Sequence, residues 1–212
     1  LKKKQKSLVI GNGVNKDLLK IKSARNSFSI LGDPCLLTIG SVTDRKGQIN
    51  LVNALPEIIT HYPNVHYHCI GMLIDHKKII SRAESLGVSN YLSIHGFVEQ
   101  KIMINFLNQA NILIMLSQNR LSYSTEGFGI SILEANLFGI PAIGSLGTGI
   151  EDSIKHSSTG ILVDPYSNID ILNGIHSILG DYSRFSNNAH QWSLEHDWLN
   201  ISNKYLKAIM ND

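Results

Sequence analysis

Short runs rich in Ile, Val and Leu alternate with longer amphipathic stretches from Cys35 to near residue 180. Strands that are apolar throughout, each followed by a stretch long enough to cross back over a sheet, build a parallel sheet covered on both faces. The runs predict strands over residues 35–39, 66–70, 91–94, 112–116, 142–145 and 161–163. Helices are expected at about 50–61, 76–86, 101–109, 129–138, 150–156 and 169–179. Gly87, Gly139 and Gly180 fall just past three of these, and Pro141 follows one, as helix stop signals do. Right-handed crossovers then give an α/β fold, a doubly wound Rossmann-like parallel sheet. After Asp181 the strand signal ends, and 187–210 reads as helix with Trp192 and Trp198 as docking anchors. The expected division is a linker and edge element over 1–27, the main domain over 28–182 with its folded part beginning near Phe28, and C-terminal helices over 183–212.

Composition removes several other classes. Hydrophobic residues make up 43% of the 212 and charged residues 17%, too apolar and too weakly charged for a disordered chain. The longest apolar run in the middle of the chain, 112–116, falls far short of the roughly 20 residues a membrane-crossing helix needs. Nineteen basic residues against 17 acidic ones leave a net +2, and the one basic cluster, Lys2 to Lys4 with Lys6, reads as a solvated linker and not a nucleic-acid patch. The first residue is Leu1 and no secretory signal pattern follows it, so the sequence reads as a fragment of a cytoplasmic protein. Cys35 and Cys69 each lie inside an apolar run and are expected to be buried, reduced thiols.

In an open parallel sheet, ligands sit beyond the carboxyl ends of the strands, so the loops there hold the chemistry. The first, GSVTDRKG over Gly40 to Gly47, sets Arg45 and Lys46 beside glycines that let backbone approach an anion. It reads as a phosphate site, or else as a solvated turn with charges at a helix start. The loop after 112–116 leads into EGFGISILEA, where Glu126 and Glu134 stand with seven residues between them. A helix starting near Gly129 would aim free amides and its positive dipole end out of the sheet edge. The two carboxylates suit sugar and ribose hydroxyls better than a phosphate, which they would repel. As a lone pair they are also compatible with a loop charge and an exposed helix residue. GSLGTGIED, Gly144 to Asp152, is another glycine-rich turn, and the GNG of Gly11 to Gly13 reads as a plain turn. His66 and His68 share a strand face without an evident third ligand, so no metal is expected there. None of Ser117, Ser122 and Ser124 stands in a nucleophile elbow.

Taken together these loops resemble the C-terminal, donor-binding domain of retaining glycosyltransferases of the GT-B fold, the group 1 family (family 4). EGFGISILEA looks like the family's signature of two glutamates, and GIPAIGS, GTGIEDSIKHSSTGILVDP, TIGSVTDRKG, HGFV and NILIMLS fall in the family's order, over about 11–179. The resemblance implies one half of a two-domain fold. The donor would be a nucleoside diphosphate sugar of the UDP or GDP type, with no cofactor and no metal, and the leaving phosphate would take the acceptor's proton. It assigns Glu126 to the donor sugar, Glu134 to the ribose and Lys46 to the diphosphate, making Lys46 and Glu126 the catalytic pair. Gly40, Gly127, Phe128, Gly129 and Ile130 then face the donor, and Phe97 and Val98 meet the base, with Lys101 near them. Ser41 stands where the family usually has arginine, and Arg45 or Arg120 is the substitute charge. The implied partner is an N-terminal acceptor domain of the same protein, which can bring it to the inner face of a membrane. A nucleotide-sugar epimerase and a non-catalytic nucleotide-sugar binding module are the alternatives.

Overall fold

The computed structural model describes residues 10–22, 28–118 and 126–210. Six strands form one sheet in the order β3-β2-β1-β4-β5-β6: β1 (Cys35–Ile39), β2 (His66–Ile70), β3 (Leu92–Ile94), β4 (Ile112–Met115), β5 (Ala142–Ser145) and β6 (Gly160–Val163). Every neighbouring pair is parallel. The expected strands all form, within one or two residues at their ends.

The helices α1 (Gln48–His61), α2 (His76–Ser85) and α5 (Asn168–Gly180) cover one face. There Leu51, Leu55 and Ile58 of α1 meet Ile79 of α2 and Ile171 and Ile175 of α5 in a common core. The helices α3 (Gln100–Leu107) and α4 (Ile130–Leu137) cover the other, through Ile104, Phe106, Ile132 and Leu133. Both faces of β1 and β4 are thereby buried, which is why their sequences are apolar without alternation. Cys35 and Cys69 are buried and unpaired. Among the described residues no helix is long and apolar enough to cross a membrane.

Three parts of the chain depart from expectation. The stretch expected as a helix over 150–156 is a 3-10 turn, Gly149–Ser153, capped by the Thr148 side chain. Its buried Ile150 and Ile154 have helical spacing, yet the chain must reach β6 by Gly160, which leaves no room for a helix. The C-terminal region forms two helices, α6 (Tyr182–Glu195) and α7 (Trp198–Met210), where one was expected. The break lies where Val14 pairs with the chain: its amide bonds the His196 carbonyl at 2.8 Å and its carbonyl accepts from Trp198 at 3.2 Å. Asp197 at the break also takes an ion pair from Lys16 at 2.6 Å. Trp192 docks as expected, donating its indole N–H to the Ser153 carbonyl at 2.9 Å, whereas Trp198 stays about half exposed over Gly13. Finally, Val14 and Leu18 are buried in the α3–α4 core, so the folded unit begins upstream of Phe28. Residues 1–9 and 23–27 of the expected linker and edge element lie outside the described residues.

His66 and His68 of β2 form a ring column with His95, at centroid spacings of 4.7 and 5.2 Å. His68 Nε2 donates to the Leu31 carbonyl at 2.9 Å, which fixes its tautomer and leaves Nδ1 to accept from His95 Nε2 at 3.0 Å. Burial, joined by the neighbouring imidazoles, lowers the pKa of His66 to about 4. Burial lowers His68 and His95 as well. These are bases held neutral by the fold, so the unfolded chain binds their protons first. The contribution of His66 is full above the ordinary histidine pKa of about 6.5 and is lost as pH falls from there toward about 4, and those of His68 and His95 fall in the same direction. The thermal midpoint is therefore expected to drop between pH 7 and pH 5, and less so in His66→Gln. A midpoint flat over that window in the parent chain would contradict this account.

Candidate functional site

From β1 the sheet runs to β2 and β3 on one side and to β4, β5 and β6 on the other, so a crevice opens beyond the ends of β1 and β4. Two loops form its walls.

The loop after β1 is held in place by its backbone. Thr43 caps a 3-10 turn, Asp44–Lys46, and Gly47 ends that turn with φ +71° while starting α1. A Cβ on Gly47 would lie 1.8 Å from the Leu116 carbonyl oxygen, so only glycine lets α1 start this close to the end of β4. The Gln118 amide bonds the Arg45 carbonyl at 2.8 Å, and Gln48 Nε2 donates to the Ser41 carbonyl at 2.9 Å. Ser41 thus offers the loop a carbonyl anchor, and its short side chain brings no charge.

Pinned in this way, Arg45 and Lys46 reach across to the second loop. Arg45 Nη1 and Lys46 Nζ both donate to Glu126 Oε2, each at 2.7 Å. The side chains of Lys46 and Glu126 are 13% and 14% exposed, which makes this a sheltered group and not a screened surface pair. Burial pushes the Glu126 carboxyl up, but hydrogen bonds and charge from Lys46 and Arg45 outweigh it and hold the carboxyl below its ordinary range.

Gly129, at φ +82°, starts α4 without a side-chain cap, and no acidic residue stands in the first turn. The leading amides of α4 and its positive dipole end therefore face the crevice. A cavity of about 440 Å³ lies there, lined by Asn12, Lys46, Glu126, Gly127, Phe128, Gly129, Ile130 and Ser131. The third glycine-rich loop supports it from behind. Gly149 donates its amide to the Glu126 carbonyl at 3.0 Å, and a Cβ there would meet the Gly127 carbonyl oxygen at 2.2 Å.

Of the residues singled out in the sequence, Gly40, Arg45, Lys46, Glu126, Gly127, Gly129 and Ile130 come together. Gly40 sits against Lys46, its would-be Cβ 3.4 Å from Lys46 Cε. The Phe128 ring is buried against Gly11, so its backbone is what faces the cavity. Glu134 lies one turn further along α4 on the face that carries Ile130. It is half-buried, and burial raises its pKa. Phe97 and Val98 stand apart at the end of β3. Phe97 is 82% exposed, and Met72, Leu73 and Ile74 in the loop after β2 are exposed as well, while Val98 packs on the α3–α4 core. Lys101 is exposed on α3, and Arg120 lies outside the described residues. Sequence reasoning missed Asn12 and Ser131. Asn12 is brought to the cavity by the pairing of Val14 with His196 and Trp198, for which the local sequence carries no signal. Among the described residues no group of three or more His, Cys, Asp or Glu is arranged to hold a metal ion.

Two cations, one carboxylate and a bare helix start form a place for a dianionic group flanked by a hydroxyl acceptor. The sequence pattern of the family "Glycosyl transferases group 1" matches residues 5–192. A GDP-mannose-dependent alpha-(1-6)-phosphatidylinositol monomannoside mannosyltransferase of Mycobacterium tuberculosis is 26% identical over 161 residues, 76% of this chain and 42% of that protein. The crystal structure of Anabaena HepE in complex with UDP and glucose superposes with a TM-score of 0.78 at 20% identity, over 97% of this chain and 57% of that one. The C-terminal domain of the group 1 family protein LpcC from Francisella tularensis is matched over its full length, 88% of this chain, with a TM-score of 0.71 at 18% identity. The chain thus spans about half the length of the longer relatives it matches, and its likeness to LpcC is to a C-terminal domain. With the pattern covering nearly all of its residues, this chain belongs to the group 1 glycosyl transferases.

Proposed function

We propose that the chain is the donor-binding half of a retaining glycosyltransferase that moves a sugar from a nucleoside diphosphate, of the UDP or GDP type, to a glycan or lipid acceptor. The observation that carries this is the meeting of Arg45 and Lys46 on Glu126 at the bare start of α4, beyond the β1/β4 crevice. In this reading Lys46, Arg45 and the first amides of α4 hold the diphosphate and stabilise the charge that grows on it as the sugar departs. Arg45 takes the place of the arginine absent at Ser41, since its guanidinium meets the same carboxylate oxygen as Lys46. Glu126 turns to the donor sugar once phosphate oxygens occupy the cations, Glu134 serves the ribose, and Phe97 and Val98 meet the base. The sugar acceptor is held by a further domain of the same protein. Its place of work is the cytoplasm, at the inner face of a membrane, which agrees with the two unpaired thiols.

Support also comes from the relatives, one named as GDP-mannose-dependent and one solved with UDP and glucose. Thermal shift of the chain with UDP, GDP, ADP and their sugars tests the reading; a midpoint unmoved by all of them would end it. The chain alone is expected to transfer no sugar, because orientation of the acceptor carries much of the rate. Assaying the chain beside the full-length protein checks this, and equal transfer rates would contradict it. Full-length protein given a donor without acceptor separates the alternatives: an epimerase converts the donor sugar, and a binding module leaves it untouched even when acceptor is added.

A further inference from the structure

The loop after β1 presents two neighbouring cations to one carboxylate oxygen, and its position is set from two sides. On the sheet side Val42, fully buried, donates its amide to the Met72 carbonyl and accepts at its own carbonyl from the Asp75 amide, each at 2.8 Å. On the helix side the tie is a side chain. Gln48, the first residue of α1, is 1% exposed, and its Nε2 donates to the Ser41 carbonyl at 2.9 Å. That bond joins the entrance of the loop to its exit, across Val42, the Thr43 cap and the turn that carries Arg45 and Lys46. Lys46 stands two residues before Gln48, and its Nζ is the group that reaches Glu126.

For stability alone, glutamine is a poor choice at this place. Its Oε1 is buried without a hydrogen-bond partner. An unpaired buried acceptor opposes folding by about as much as the single bond through Nε2 favours it, so the side chain adds little net stability. An apolar residue of similar volume would fill the space with neither effect. What an apolar residue could not do is fasten Ser41. Freed from α1, the loop would let Lys46 range over several positions, and binding a phosphate would then have to restore one of them. Gln48 itself is too deeply buried to meet a ligand.

We propose that Gln48 is a positioning residue for the donor diphosphate: its bond to the Ser41 carbonyl holds Lys46 where the phosphates meet it. The proposal rests on the donor-binding reading above and adds to it a residue that acts through Lys46 and not on the donor.

The test is calorimetric titration of UDP and of GDP into the parent chain, Gln48→Met, Lys46→Ala and the double variant, with the thermal midpoint of each. Gln48→Met is expected to weaken the nucleotide that the parent binds by about three- to tenfold, the effect of having to order one long side chain on binding. Its midpoint is expected to stay within about 2 °C of the parent or to rise. In the Lys46→Ala background the same substitution is expected to change affinity by less than about twofold, because the group it positions is gone. Gln48→Leu repeats the comparison with a second apolar side chain. A midpoint lowered by more than about 5 °C in both apolar variants would show that glutamine is kept here for stability, and would overturn the proposal. Unchanged affinity with the fold intact overturns it too and leaves the donor reading standing, as does an equal loss with and without Lys46. If the parent binds neither nucleotide, the donor reading falls and the positioning role falls with it.

Discussion

Lys46→Ala is expected to weaken the binding of UDP or GDP by about 10- to 150-fold, the worth of a lost charge-assisted hydrogen bond of about 1.5–3 kcal/mol. Lys46 is the better sheltered of the two cations, with a side chain 13% exposed against 36% for Arg45, so its charge is the less screened. Arg45→Ala should therefore cost less than Lys46→Ala. Glu126 gives the experiment a second edge. In the structure its Oε2 occupies both cations, so a diphosphate has to displace it. Glu126→Gln is accordingly expected to leave affinity for the bare diphosphate unchanged or raised, while sugar transfer in the full-length protein falls by roughly 10- to 1000-fold. Glu134→Ala should instead weaken the bare diphosphate, since the ribose is present in it. Calorimetry on the four variants checks the set, and a Glu126→Gln loss as large as that of Glu134→Ala would show the two roles to be misassigned.

The largest effect on stability is expected at Gly47. Alanine there would adopt φ +71° and place its Cβ 1.8 Å from the Leu116 carbonyl oxygen, a collision with backbone that no rotamer relieves. Strain of this kind, added to the loss of close packing between α1 and β4, is expected to cost about 3–5 kcal/mol. For a chain of this size that lowers the thermal midpoint by roughly 6–20 °C. Gly180→Ala is the control: it ends α5 with nothing within 4 Å of the added Cβ, and alanine favours helix. Thermal denaturation of the two variants decides the matter, and equal midpoints would show that the contact between Gly47 and Leu116 is not needed.

Much of this architecture was legible in the sequence for a definite reason. A strand buried on both faces is mostly apolar, so β1 and β5 stand out at their observed limits, and β2 does so although His66 and His68 interrupt it. What was illegible depends on contacts between distant residues. Val14 and Leu18 are two apolar residues in a polar stretch, and only the pairing of Val14 with Asp197 gives them a core to enter. The same pairing breaks the C-terminal helix at His196 and Asp197 without a glycine or proline to announce it. In the site, Arg45, Lys46 and Glu126 were readable as residue types next to strand ends. That both cations converge on one Glu126 oxygen was not, because it depends on Gly47 letting α1 approach β4 and on Gly149 backing the Glu126 loop. Phe128 lines the cavity, and that its ring is drawn into the core against Gly11 was not readable, because it depends on the distant N-terminal segment.

Calorimetric titration of UDP and of GDP into the chain, in the presence of a metal chelator and repeated with Lys46→Ala, tests the central claim most directly. The account predicts saturable binding of at least one of them that survives the chelator and weakens at least tenfold in the variant. Absence of heat with both nucleotides, or binding that Lys46→Ala leaves unchanged, would contradict it.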